Sequence, residues 1–159
     1  MNDMAIFQTL RELQLGNLLC EADQISLADA GDLVRFDTGD VVFREGDKHT
    51  YIYWIIEGDV SLEMTAGTQS LRPLLTLGRG DALAWSALLA RGRMTATAKV
   101  VRDSCLLRYD SQRLLDLCAL NHEIGYRVME HLARQLAQRL LATRLQLLDL
   151  FGHPREDIR

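Results

Sequence analysis

Apolar positions along the chain fall into three regimes. Residues 3–30 carry Ile6, Leu10 and Leu13, then Leu18, Leu19, Ile25 and Leu27, at loosely helical spacing broken by Gly16. Between 33 and 77 they come in short runs: LVRF (33–36), VVF (41–43), YIYWII (51–56), VSLEM (60–64) and LRPLLTL (71–77). These have strand length and are rich in β-branched and aromatic side chains. Helical spacing returns after Asp110, a good N-cap for the short helix SQRLLDLCAL. A long helix follows from about His122 to Phe151, stopped by Gly152 and Pro154.

Glycine punctuates the middle regime. Eight of the eleven glycines lie between Gly31 and Gly92, and Gly31, Gly39, Gly46, Gly58 and Gly80 are each followed by aspartate. Glycine supplies positive φ and aspartate bonds its own backbone, so each pair predicts a tight turn. Short strands separated by such turns predict an antiparallel sandwich or small barrel. Pro73 lacks a backbone donor and places its strand at an edge or bulge.

The long helix carries more apolar surface than one contact needs. Tyr126, Ala133, Leu140 and Leu147 share one heptad position, and Met129, Leu136, Thr143 and Leu150 the position three residues on. Leu132, Leu141, Leu145, Leu148 and Phe151 add further apolar surface. About 30 residues at 1.5 Å each span roughly 45 Å, longer than a small barrel is wide. The pattern predicts two partners for this helix, its own domain and a second subunit. The alternative is a helix lying in a groove of a monomer.

Composition bounds the chemistry. The 159 residues (18.0 kDa) suit one domain, with 48% apolar and 25% charged side chains. A net charge of −4 and only two lysines, Lys48 and Lys99, argue against a general phosphate-backbone binder. No long apolar run and no basic-then-apolar N-terminus occurs, so neither a membrane anchor nor a signal peptide is expected. Cys20, Cys105 and Cys118 are far apart and in apolar surroundings; buried, inert thiols of a cytoplasmic protein are expected. The four histidines, His49, His122, His131 and His153, never share a strand, which predicts no metal site; His49 is expected to be a solvated loop residue. Ser86 has neither a Gly-x-Ser-x-Gly context nor a nearby histidine, so no enzymatic activity is expected.

The stretch FDTGDVVFREGDKHTYIYWIIEGDVSL (36–62) resembles the cyclic-nucleotide-binding domain family. It matches at Phe36, Gly39, Asp40, Val42, Phe43, Glu45, Gly46, Asp47, Tyr53, Ile55, Gly58 and Val60. LTLGRGDALAWSALL (75–89) is similar to the start of that family's phosphate-binding cassette, and TATAKV (95–100) to the strand leaving it. The resemblance covers about residues 10–151. It implies a mainly β fold with flanking helices: an antiparallel, jelly-roll-like β-roll, as in catabolite activator protein. The expected organisation is an N-terminal helical segment (1–31), the roll (32–109) with a cassette helix at about 83–90, C-terminal helices (110–151) and a tail (152–159).

The resemblance also implies a ligand site of Gly80, Ala84, Trp85, Ser86, Ala87, Arg93, Met94 and Thr95, with cAMP or cGMP as the possible ligand. In the family a glycine and a glutamate at the cassette helix hold the ligand, the glutamate accepting from the ribose hydroxyl, and an arginine pairs with the cyclic phosphate. Counted without gaps, these positions are Ala84, Trp85 and Met94. Indole has a donor only, so Trp85 accepts nothing, and Met94 has no charge. Arg93, one residue away, either turns inward through a bulge or faces solvent. Ala84-Trp85-Ser86 and the run from Arg144 to Phe151 are also similar to a subgroup of stand-alone bacterial members whose cassette begins Gly-Trp-Ser.

Two functions remain at this stage. One is a dimeric sensor that binds a small anionic ligand and signals through the long helix to a partner protein. The other is a degenerate pseudo-sensor, a dimerisation or adaptor domain without ligand. Eight residues after Phe151 are too few for a helix–turn–helix, so direct DNA binding is not expected.

Overall fold

The computed structural model describes residues 2–68, 70–90 and 92–152. Arg91, His153, Pro154 and the rest of the expected tail beyond Gly152 lie outside the described residues. Helices α1 (Asn2–Glu12) and α2 (Glu21–Asp29) precede strands β1 (Gly31–Phe36), β2 (Val41–Phe43), β3 (Tyr51–Ala66), β4 (Ser70–Leu77) and β5 (Ala82–Leu83). A one-turn helix α3 (Trp85–Leu89), strand β6 (Thr97–Asp110), α4 (Ser111–Leu120) and α5 (His122–Gly152) complete the chain.

The strands form one antiparallel sheet in the order β1-β6-β3-β4, with β2 on β6 and β5 on β3. Successive strand residues point to opposite faces, and β3 and β6 divide the core accordingly. Ile52, Trp54, Leu107 and Tyr109 pack with the helices, while Tyr53, Ile55, Val60 and Leu106 fill the roll.

Most expected elements are present, and the differences have physical causes. The two runs 51–56 and 60–64 are one strand. At Gly58 the strand bulges instead of turning: φ is +96°, and a Cβ there would overlap Ser104 Oγ. Gly31 is likewise no turn but part of β1, where a Cβ would sit 2.9 Å from Leu107 Cδ1. Gly39, Gly46 and Gly80 do take positive φ in turns. Pro73 lies on β4, at the sheet edge, beside a register shift between Leu62 and Glu63. The Asp110 carboxylate accepts from the Arg113 N–H at 3.0 Å, capping α4.

On α5 the inner stripe is Ile124, Val128, His131 and Leu132, all buried. Nearly every position from Leu140 to Phe151 is exposed, the apolar ones included. Cys105 and Cys118 are buried, and burial pushes both thiols up. Cys20, expected inside, is exposed, because it stands at the N-cap of α2, where the chain bends between the first two helices. No helix among the described residues is long and apolar enough to cross a membrane.

Candidate ligand pocket and its link to the long helix

The cassette begins where β5 leaves β3. Tyr53 pairs with Leu83 and Trp54 with Ala82, so Leu83 belongs to a strand rather than to the expected helix 83–90. Ala84 then takes φ 59° and ψ 36°, a left-handed turn that delays the helix to Trp85. This conformation costs a non-glycine residue about 1–2 kcal/mol.

Ala84, Trp85, Ser86, Met94 and Thr95 converge on one cavity, which Phe43, Leu62, Ala96 and Arg139 complete. Its volume is about 20 Å3, room for about one water. Met94 is 3% exposed and points in; its N–H donates to the Asp47 carbonyl at 2.9 Å. Three expected site residues lie elsewhere. Arg93 is exposed, in an isolated bridge with Lys48 ahead of β6, and donates from Nη1 to the Gly46 carbonyl at 2.8 Å. Ala87 packs half-buried against the roll interior. Gly80, at φ +87°, forms the turn before β5 and does not line the cavity.

The Gly80 turn is held by α5. Gln135 Nε2 donates to the Gly80 carbonyl and to His131 Nε2, at 2.7 and 2.8 Å. Gln135 Oε1 accepts from the Ala82 N–H at 2.7 Å and from Arg139 Nη2 at 3.2 Å. Both amide hydrogens and both lone pairs of Gln135 are thereby used. Arg139 Nη2 also donates to the Ala82 carbonyl. His131, Gln135 and Arg139, spaced four apart, form a polar ladder on one face of α5.

This arrangement fixes protonation. His131 Nε2 accepts from the Gln135 amide, so the ring is neutral, and burial holds its pKa below the usual imidazole value, opposed by the Gly80 backbone and Asp81. Burial also lowers the Arg139 pKa, against the pull of the Asp81 carboxylate. A second, polar cavity of about 410 Å3 shares Gly80, His131 and Gln135 and is bordered by Glu12, Arg79, Asp81 and Arg134. The Arg79–Glu12 ion pair at 2.7 Å crosses its rim.

His49 is not a solvated loop residue. It is half-buried, stacks on Tyr53 at 5.6 Å and shares a 2.8 Å hydrogen bond with Tyr53 Oη. Burial lowers its pKa and raises that of Tyr53 to about 12. Among the described residues no three His, Cys, Asp or Glu side chains are grouped to hold a metal ion.

Sequence reasoning did not place Phe43, Leu62, Ala96, Gln135 and Arg139 at the site. For the last two a signal existed: polar residues at positions 131, 135 and 139 continue the stripe set by Ile124 and Val128.

Comparison with known proteins agrees with this fold. The family described as "Cyclic nucleotide-binding domain" matches residues 33–121. The cAMP-dependent protein kinase regulatory subunit of Dictyostelium discoideum is 32% identical over 111 residues, 68% of this chain and 34% of its own length. The chain spans about a third or less of the curated relatives it matches. Thermus thermophilus catabolite activator protein superposes with a TM-score of 0.71 at 27% identity, over 87% of this chain and 63% of that one. A cyclic nucleotide-binding domain from Methylobacillus flagellatus shares the fold with a TM-score of 0.80 at 15% identity, over 98% and 86% of the two chains.

Proposed function

Because the chain belongs to the cyclic-nucleotide-binding domain family, we propose that it is a dimeric regulatory sensor, not an enzyme, whose rebuilt pocket takes a small anionic ligand and whose long helix carries the response to a partner protein. Arg139 carries this reading: one residue of α5 both walls the pocket and holds the Ala82 carbonyl beside it. A ligand that displaces Arg139 alters how α5 is held, which gives it different affinities for two helix arrangements.

The outer face of α5 supports a homodimer. Tyr126, Ala133, Leu140, Thr143, Leu147 and Leu150 are exposed along it, with Met129 and Leu136 half-buried between them. Leu141, Leu145 and Leu148, also exposed, form a separate stripe available to a partner protein. In a reducing cytoplasm Cys20, Cys105 and Cys118 stay free, as they are here.

The cavity of about 20 Å3 favours a second reading, an adaptor domain with no ligand. Thermal unfolding with cAMP, cGMP and a panel of small anions at millimolar concentration separates the two. Ligand at one hundred times its dissociation constant adds about 2.7 kcal/mol, roughly 5–10 °C at this size. A concentration-dependent shift with one compound supports the sensor; a silent panel supports the adaptor.

A further inference from the structure

We propose that Arg139 is the anion-binding residue of the cassette pocket, and that the group it takes is a compact phosphate-type oxyanion rather than a nucleoside cyclic phosphate. This deepens the sensor reading and rests on it.

Charge is the first ground. Among the described residues lining the pocket, Arg139 is the only ionisable one. Its guanidinium meets two neutral acceptors, the Ala82 carbonyl and Gln135 Oε1, and no carboxylate lies within ion-pair distance of it among the described residues. A half-buried cation whose nearby carboxylate, Asp81, stays beyond ion-pair distance is disfavoured by desolvation, and an anion in contact with it offsets that penalty.

Donor geometry is the second. Both protein bonds leave from Nη2, so Nε and Nη1 have no protein acceptor among the described residues. A guanidinium presents five donors in a rigid fork that matches phosphate oxygens. The hydroxyls of Ser86 and Thr95 line the same cavity and supply further donors.

Size selects the class of ligand. With Trp85 and Met94 on its wall, the cavity holds about 20 Å3, so the pocket must widen to admit anything. Exchanging the Ala82 carbonyl for an incoming oxyanion as the acceptor of Arg139 Nη2 opens it on the α5 side. Among the described residues, no carboxylate lines the cavity to accept a ribose hydroxyl.

The test is a titration of the full chain followed by two-dimensional 1H–15N NMR at constant ionic strength. The probes are inorganic phosphate and cAMP, with chloride as the ionic control, and the reporters are the Trp85 indole N–H and the Thr95 amide. Phosphate is expected to shift both signals saturably in the wild type. Arg139→Gln is expected to weaken that response tenfold or more, Arg139→Lys to keep part of it, and Arg93→Gln to leave it unchanged. Should Arg139→Gln fold poorly, the graded loss in Arg139→Lys still decides. An equal response in wild type and Arg139→Gln overturns the assignment, as does no saturable response to phosphate. A cAMP response independent of Arg139 overturns it too, while leaving the sensor reading intact. The sensor reading itself is tested separately, by the thermal panel.

Discussion

Gln135, on the long helix, gives the Ala82 N–H the acceptor that a neighbouring strand would otherwise supply, at 2.7 Å, and donates to the Gly80 carbonyl at the same distance. A side-chain amide thus stands in for a strand edge and ties the start of the cassette to α5. Replacing it by alanine leaves the buried Ala82 N–H without a partner. Gln135→Ala is expected to lose about 1–3 kcal/mol of stability, read as a lower urea midpoint with an unchanged slope. A loss within about 0.5 kcal/mol, as at ordinary surface positions, would mean that the link contributes nothing.

Among the described residues, the outer face of α5 is largely uncovered. Leu140 and Leu147 are 53% and 49% exposed, on a flank of α5 away from the buried stripe. Leu140→Glu with Leu147→Glu is expected to turn a dimer into a monomer by sedimentation equilibrium, with the circular dichroism spectrum retained. A dimer that survives the double substitution places the interface elsewhere.

Trp85 and Met94 both line the closed pocket, and we propose that they stand in place of the glutamate and arginine that the family resemblance implies there. A missing partner of a buried ion pair is worth about 3–5 kcal/mol, and 1.4 kcal/mol is tenfold in affinity. Trp85→Glu with Met94→Arg is therefore expected to tighten cAMP binding by about two orders of magnitude in isothermal titration calorimetry. A folded double variant that binds no better than the wild type would show that the roll, not these side chains, excludes the nucleotide.

Acid acts against the polar ladder. His131 is 7% exposed and neutral, and its folded pKa lies below the unfolded value, which is about 6.5. Above that value neither state binds the proton, and the group adds no pH dependence. As pH falls through it, the unfolded chain takes up a proton that the folded chain refuses, so stability declines until the lower folded pKa is reached. His49, also lowered by burial, acts in the same direction. Urea unfolding is expected to show lower stability at pH 5.5 than at pH 7.5, with a smaller drop in His131→Gln. An equal drop in the variant would assign the effect elsewhere.

The fold was legible because its signals are local and periodic. Gly-Asp turns bound the strands, Pro73 marks the edge strand β4, and Asp110 caps α4. Errors arose where long-range contact decides. Gly31 and Gly58 look like the other Gly-Asp pairs, but each serves a close approach to β6, to Leu107 and Ser104 respectively. The family resemblance, counted without gaps, puts Met94 at the pocket, and the structure has it on the cavity wall with Arg93 beside it exposed and bridged to Lys48. Arg139 stayed hidden because it is 45 residues from Met94 in sequence and reaches the pocket only once α5 packs on β5.

Gln135 and Arg139 tie the cassette to α5, and amide hydrogen exchange shows most directly whether the two respond together. In Gln135→Ala, exchange is expected to rise together in Gly80–Leu89 and in α5 from Ala133 to Thr143. A rise confined to the helix around position 135, with the cassette amides exchanging as in the wild type, would contradict the link on which the sensor reading depends.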